Sequence, residues 1–229
     1  MALNFISIPP EQTTAVTDLI LAAQSMICLL LVRRTAENQG FSFSLWSWVF
    51  GLLCFASLLG TIVHGFELAP ETMRTLWRPI YFALGLLVAL IALAAISHFG
   101  HENISRRLLP AGIGIAFIFF AITQIWSDSF LLFVVYEAIM MMFALALYVR
   151  CIGCPIRYRG AGFLAAGVLL TLIAAAVDTQ STLRLQFVWA FDNHGIFHLI
   201  QMLGLLIISV GLYRSREPIA DVKNGDAKR

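Results

Sequence analysis

The sequence predicts an all-α integral membrane protein, a seven-transmembrane-helix bundle, on three observations. Hydrophobic residues fill 60% of the 229 positions and charged residues only 12%, with a mean hydropathy of +0.86, far from the balance of a water-soluble domain. The apolar residues gather into seven runs, most of them close to the roughly 20 residues that a helix needs to cross a hydrocarbon core. Pro, Gly and charged residues separate the runs, whereas a membrane β-barrel would show short segments of alternating polarity.

The first run, Thr17 to Val32, has no basic stretch before it, which marks a retained helix and not a cleaved signal peptide. The second, Phe43 to Gly65, carries His64 at its far end, and the third, Trp77 to Ser97, stops at His98. Leu108 to Ile125 follows Arg106 and Arg107, and Phe130 to Val149 stops at Arg150 with Glu137 well inside it. Gly160 to Val177 and Asn193 to Tyr213 complete the set. Connections are short, so residues 1–213 form one transmembrane domain and 214–229 a polar tail. No internal repeat of the kind that builds many transporters is visible.

Orientation follows from the basic residues, which are enriched in cytoplasmic loops. Alternate connections and the tail hold Arg33, Arg34, Arg106, Arg107, Arg150, Arg157, Arg159, Arg214, Arg216, Lys223, Lys228 and Arg229, 12 of the 15. Only Arg74, Arg78 and Arg184 fall on the other side. The expected topology is therefore amino terminus outside and carboxyl terminus cytoplasmic. The acids Asp18, Glu67, Glu71, Asp128, Asp178 and Asp192 then collect near the outer face, which is periplasmic or lumenal, together with His64, His194 and His198.

His194 and His198 stand i and i+4 at the start of the last run, a spacing that stacks two imidazoles on one helix face. Gln201 extends that face, while Asp192 is expected on nearly the opposite one. On the second helix Ser57, Gly60 and His64 share a face with Thr61 beside them, and Glu67 joins it if the helix continues. Polar side chains within a span are costly and face a bundle interior. Two such stripes at one depth predict a cavity. Three imidazoles with a fourth position open to water are the ligand set of a catalytic zinc centre, which brings the pKa of bound water down to roughly 7. The competing reading of each histidine is an interfacial side chain or an interhelical hydrogen-bond donor.

With His64 in helix 2 and His194-Gly195-Ile196-Phe197-His198 in helix 7, the chain resembles the CREST superfamily of seven-helix membrane hydrolases, which includes alkaline ceramidases and the adiponectin and progestin receptor proteins. The resemblance implies zinc on the three histidines and cleavage of the amide of a ceramide-like membrane lipid. It also implies a serine four residues before the helix 2 histidine, where this chain has Gly60, and an aspartate near the start of helix 3, where Thr72 to Leu87 contains none. Ser57 or Thr61 is then the candidate to steady an oxyanion. Glu67, Glu71 or Asp178 is the candidate carboxylate. The alternative function is a non-catalytic receptor or transporter with a structural metal site.

Glu137 has two readings, a proton relay or head-group ligand in the cavity and a neutral acid bonded to Gln24 or Gln124. His98, His101 and Glu102 read as a solvated cluster at the cytoplasmic end, and Cys151 with Cys154 as an isolated pair in a reducing compartment. Trp46, Trp48, Trp77, Tyr81, Trp126 and Trp189 lie near helix ends and read as interfacial anchors. A retinal protein needs a lysine in its last helix, and the only lysines are in the tail. A haem carrier would pair His64 with His194 or His198 and show a Soret band. A net charge of +2 without a basic patch gives no support for nucleic-acid binding.

Overall fold

A computed structural model describes residues 4–36, 40–125, 129–153 and 159–215. Trp126, Asp128, Cys154, Arg157 and the tail beyond residue 215 lie outside them. The described residues form seven helices, α1 (Pro9–Ala36), α2 (Phe41–Gly65), α3 (Pro70–His98), α4 (Glu102–Thr123), α5 (Ser129–Gly153), α6 (Ala161–Asp178) and α7 (Asn193–Arg214). Each is long and apolar enough to cross a membrane. Two short strands, β1 (Arg184–Gln186) and β2 (Ala190–Asp192), pair antiparallel between α6 and α7.

The helices pack as a ring. α1 lies against α2, α2 against α3, α3 against α5, α5 against α6, α6 against α7, and α7 returns to α1. α4 stands outside, mainly against α3. Bilayer lipid is as apolar as leucine, so packing and interhelical hydrogen bonds hold such a bundle together. α3 shows this: Leu87 to Ala95 is buried without a break, as befits a helix with neighbours on several sides. Its Gly85 takes the Phe119 ring of α4 and lends its carbonyl to the Tyr136 hydroxyl of α5. Between α6 and α7 the backbones touch at Gly167 and Gly204 and again at Gly160 and Gly211. Gln24 of α1 donates to the Met202 carbonyl of α7.

Two departures from the sequence expectation shape the site. α1 begins at Pro9, about two turns before Thr17, so Glu11 and Thr14 are helical. α2 does not continue to Glu67. Phe66 turns extended, and the chain pairs with the amino-terminal segment through Ile6 N–H to Gly65 O and Glu67 N–H to Asn4 O, with Phe5 stacked on Phe66. That pairing satisfies backbone groups freed at the helix end and turns Glu67 out to an exposed position.

Candidate metal and lipid site

His64 ends α2 and His194 and His198 begin α7, so all three reach the end of the bundle where α1 starts. They line one cavity of about 150 Å³ that runs down the ring's axis. Each ring is oriented through Nδ1. His64 Nδ1 lies 2.7 Å from Glu11 Oε2 of α1, and His194 Nδ1 lies 2.6 Å from Asp178 Oδ1 at the end of α6. His198 Nδ1 lies 2.9 Å from Thr17 Oγ1, whose own hydrogen is donated to the Thr14 carbonyl. In a neutral imidazole facing an acceptor at Nδ1, the proton sits on that nitrogen and Nε2 carries the lone pair. Holding a histidine by its far nitrogen is how proteins orient metal ligands.

The fourth member is Asp18. Its carboxylate is buried at 5% exposure, with Oδ1 at 3.4 Å from His198 Nε2. Gly60 makes room for it, because a Cβ there would lie 2.5 Å from Asp18 Oδ2. A lone-pair nitrogen beside a carboxylate oxygen is favourable only with a positive charge or a proton between them. A zinc on three imidazoles leaves its fourth tetrahedral position to water, and Asp18 Oδ1 stands beside the His198 Nε2 edge of such a site. The His64 and His194 ring centroids are 5.9 Å apart, against about 5 Å for two imidazoles on one such ion. Among the described residues no three donors are yet gathered close enough to hold an ion. Inward movement of the rings by about an ångström is the adjustment a metal would require.

Asp192 closes the frame. It caps α7, with Oδ1 accepting the Gly195 N–H at 2.9 Å and the Thr14 hydroxyl at 3.0 Å. Burial pushes its carboxyl up, but those two hydrogen bonds and the fields of His194 and His64 outweigh it and hold the group below the usual aspartate range. Trp77 meets His64 edge-on and Phe130 meets His194 edge-on. His194 is the more open ring, its side chain 39% exposed against 14% for His64, and it marks the mouth.

Of the sequence candidates, Ser57, Asp178 and the three histidines line the cavity. Glu67 does not, because α2 ends before it, and Glu71 is likewise exposed, on α3. Thr61 is outside the lining and donates to the Ser57 carbonyl. Asp178 holds His194 and is a positioning residue in this geometry. Trp46, Trp77 and Tyr81 are lining residues and not outward anchors, and Trp46 is fully buried. Trp48 and Trp189 are exposed. Glu137 is buried in the cavity wall, while Gln24 and Gln124 bond elsewhere. His98 is half-buried against Tyr148 and Phe43, so its ring does not stand free in solvent with His101. The sequence reading left Glu11, Thr17 and Asp18 out of the site. Their signal is the run Glu11, Thr14, Asp18, Leu21, Ser25, one helical face that becomes visible once α1 is extended to Pro9.

Fold and site together define a seven-helix bundle with a partly buried histidine–carboxylate cluster at one end of a largely apolar internal cavity. The chain belongs to a family of unknown function (DUF6962), whose model matches residues 13–217. No curated protein and no solved structure matches it.

Proposed function

We propose that the protein is a zinc-dependent intramembrane hydrolase of acyl lipids, most favourably of the amide bond of a ceramide-like lipid. The observation that carries this reading is that three imidazoles lining one cavity are each oriented through Nδ1, with the Nε2 of His198 beside the buried Asp18. His64, His194 and His198 would hold the metal, which when bound polarises an acyl carbonyl and makes water acidic enough to attack near neutral pH. The resemblance to ceramidase-like hydrolases supports the same assignment.

Asp18 supplies from α1 the carboxylate that the resemblance expects on helix 3. Gly60 is its counterpart, because a serine in that place would collide with it. Asp18 Oδ1 is suited to take a proton from the attacking water and return it to the leaving amine or alcohol. Ser57, buried in the same wall one turn below Gly60, is suited to donate to the developing oxyanion. Glu11 and Asp178 keep the rings in register. Leu53, Leu84, Leu87, Val88 and Leu205 give the acyl chain an apolar channel below the histidines. With the expected topology the mouth opens at the outer face and the lipid enters from that leaflet.

A second reading, a receptor or transporter whose metal is structural, draws on the same contacts. The three rings tie α1, α2, α6 and α7 together, so an ion there would also staple the bundle.

Elemental analysis of detergent-purified protein, paired with a ceramide hydrolysis assay, tests both. About one zinc per chain is expected, absent from a folded His194→Ala, His198→Ala double variant. Turnover should fall at least about 100-fold in Asp18→Asn, which removes the proton-transfer group. Zinc without turnover of any amide or ester lipid would favour the structural reading. A native protein free of metal after chelator-free purification would overturn both.

A further inference from the structure

Below the histidines the cavity wall is largely apolar, and Gln201, Glu137 and the Trp46 indole nitrogen are deeply buried polar groups in it that the proposed chemistry leaves unused. Gln201 lies one turn beyond His198 on α7, is 8% exposed, and keeps its Oε1 buried without a hydrogen-bond partner among the described residues. Glu137 of α5 lines the same cavity and is 5% exposed. Thr171, the neighbouring hydroxyl on the wall, is committed to the Gly167 carbonyl of its own helix. A buried acceptor without a partner is costly, and native proteins retain one where a bound group satisfies it.

We propose that Gln201, on a cavity wall to which Glu137 also contributes, is a second polar station that binds a hydroxyl carried on the acyl chain, close to the carbonyl held at the histidines. The inference rests on the hydrolase reading and narrows its substrate to hydroxyacyl lipids. A hydroxyl fits because it donates and accepts at once. It can give its hydrogen to Gln201 Oε1 and receive one from the Gln201 amide. Three residues of helix separate His198 from Gln201, a rise of about 4.5 Å, which is the reach of a few carbon–carbon bonds. A hydroxyl on the third carbon of the chain falls in that range. A plain alkyl chain would cover Gln201 and leave it unpaired, so the station discriminates against the unhydroxylated lipid.

The test is titration calorimetry of the purified full chain with tetradecanoic acid and with 3-hydroxytetradecanoic acid. The hydroxy acid is expected to bind about tenfold more tightly. Gln201→Leu should erase that preference while still binding tetradecanoic acid, which reports an intact cavity. Equal affinity of the two acids for the native protein, binding of neither, or a preference that survives in Gln201→Leu would overturn the proposal. Zinc content and lipid turnover on the same preparation separate it from the hydrolase reading. A preference without zinc or turnover removes the hydrolase and leaves the hydroxyl station, whereas zinc and turnover without a preference remove only the station.

Discussion

Asp192 illustrates how single residues hold the site, since one of its oxygens joins three parts of the molecule. It caps α7 through Gly195, fixes Thr14 of α1, and contributes a negative field to His194 and His64. Loss of an N-cap costs about 0.5–2 kcal/mol, and here the Thr14 hydroxyl, which is fully buried, loses its acceptor as well. Because the folded carboxyl titrates below the ordinary aspartate value, the ionised form is the one that folding favours. Its contribution is complete above about pH 3.9, the unfolded value, and disappears as pH falls through the lower folded value. Thermal unfolding of the native protein should therefore lose stability below about pH 4 more steeply than that of Asp192→Asn, which has no proton to take up. Parallel pH profiles would show that Asp192 contributes no charge-dependent stability.

The helix bodies were legible because their composition leaves no alternative, and the ends were not. Thr17 looked like the start of α1 because hydropathy rises there, yet Pro9 at the first helical position and the polar face through Glu11 and Thr14 carry the helix earlier. A hydropathy window counts those residues as loop because they are polar. They are polar because they serve the site. Glu67 failed for the converse reason, since only the pairing with residues 4–6 ends α2, and that contact is remote in sequence. Trp46 has the position of an anchor near a helix end, yet the ring of helices encloses it. The three histidines were legible through spacing, but Asp18 was not, because its partner in shape is a glycine. Element packing yields its own prediction at the α6–α7 contact. A Cβ on Gly167 would lie 2.4 Å from Ile208 and 2.9 Å from the Gly204 carbonyl, while one on Gly162 would meet nothing closer than 3.9 Å. Gly167→Val should cost about 1–3 kcal/mol by overpacking and displace Asp178 from His194. Gly162→Ala should be neutral or stabilising by up to about 1 kcal/mol. Reversible unfolding in detergent measures both, and equal effects would mean that the two helices separate freely.

At the scale of the whole molecule, the ring of six helices explains how a polar cluster and an apolar lining coexist. The histidines and the acids that hold them sit at the end where α1 begins, and below them the cavity lining is mostly apolar. Which membrane face this end meets decides which leaflet supplies a lipid. The basic residues predict the outside, since 12 of 15 belong to the opposite side or the tail. The β1–β2 hairpin shares the site's end and exposes Phe187, Val188 and Trp189, side chains suited to the head-group layer. Two positions test this cleanly: Thr182, exposed before the hairpin, and His101, exposed between α3 and α4 at the far end. In a background with Cys28, Cys54, Cys151 and Cys154 replaced, Thr182→Cys should react with an impermeant maleimide on intact cells. His101→Cys should react only after permeabilisation. The reverse pattern would turn the site toward the cytoplasm and make the inner leaflet the source of any lipid that reaches the histidines.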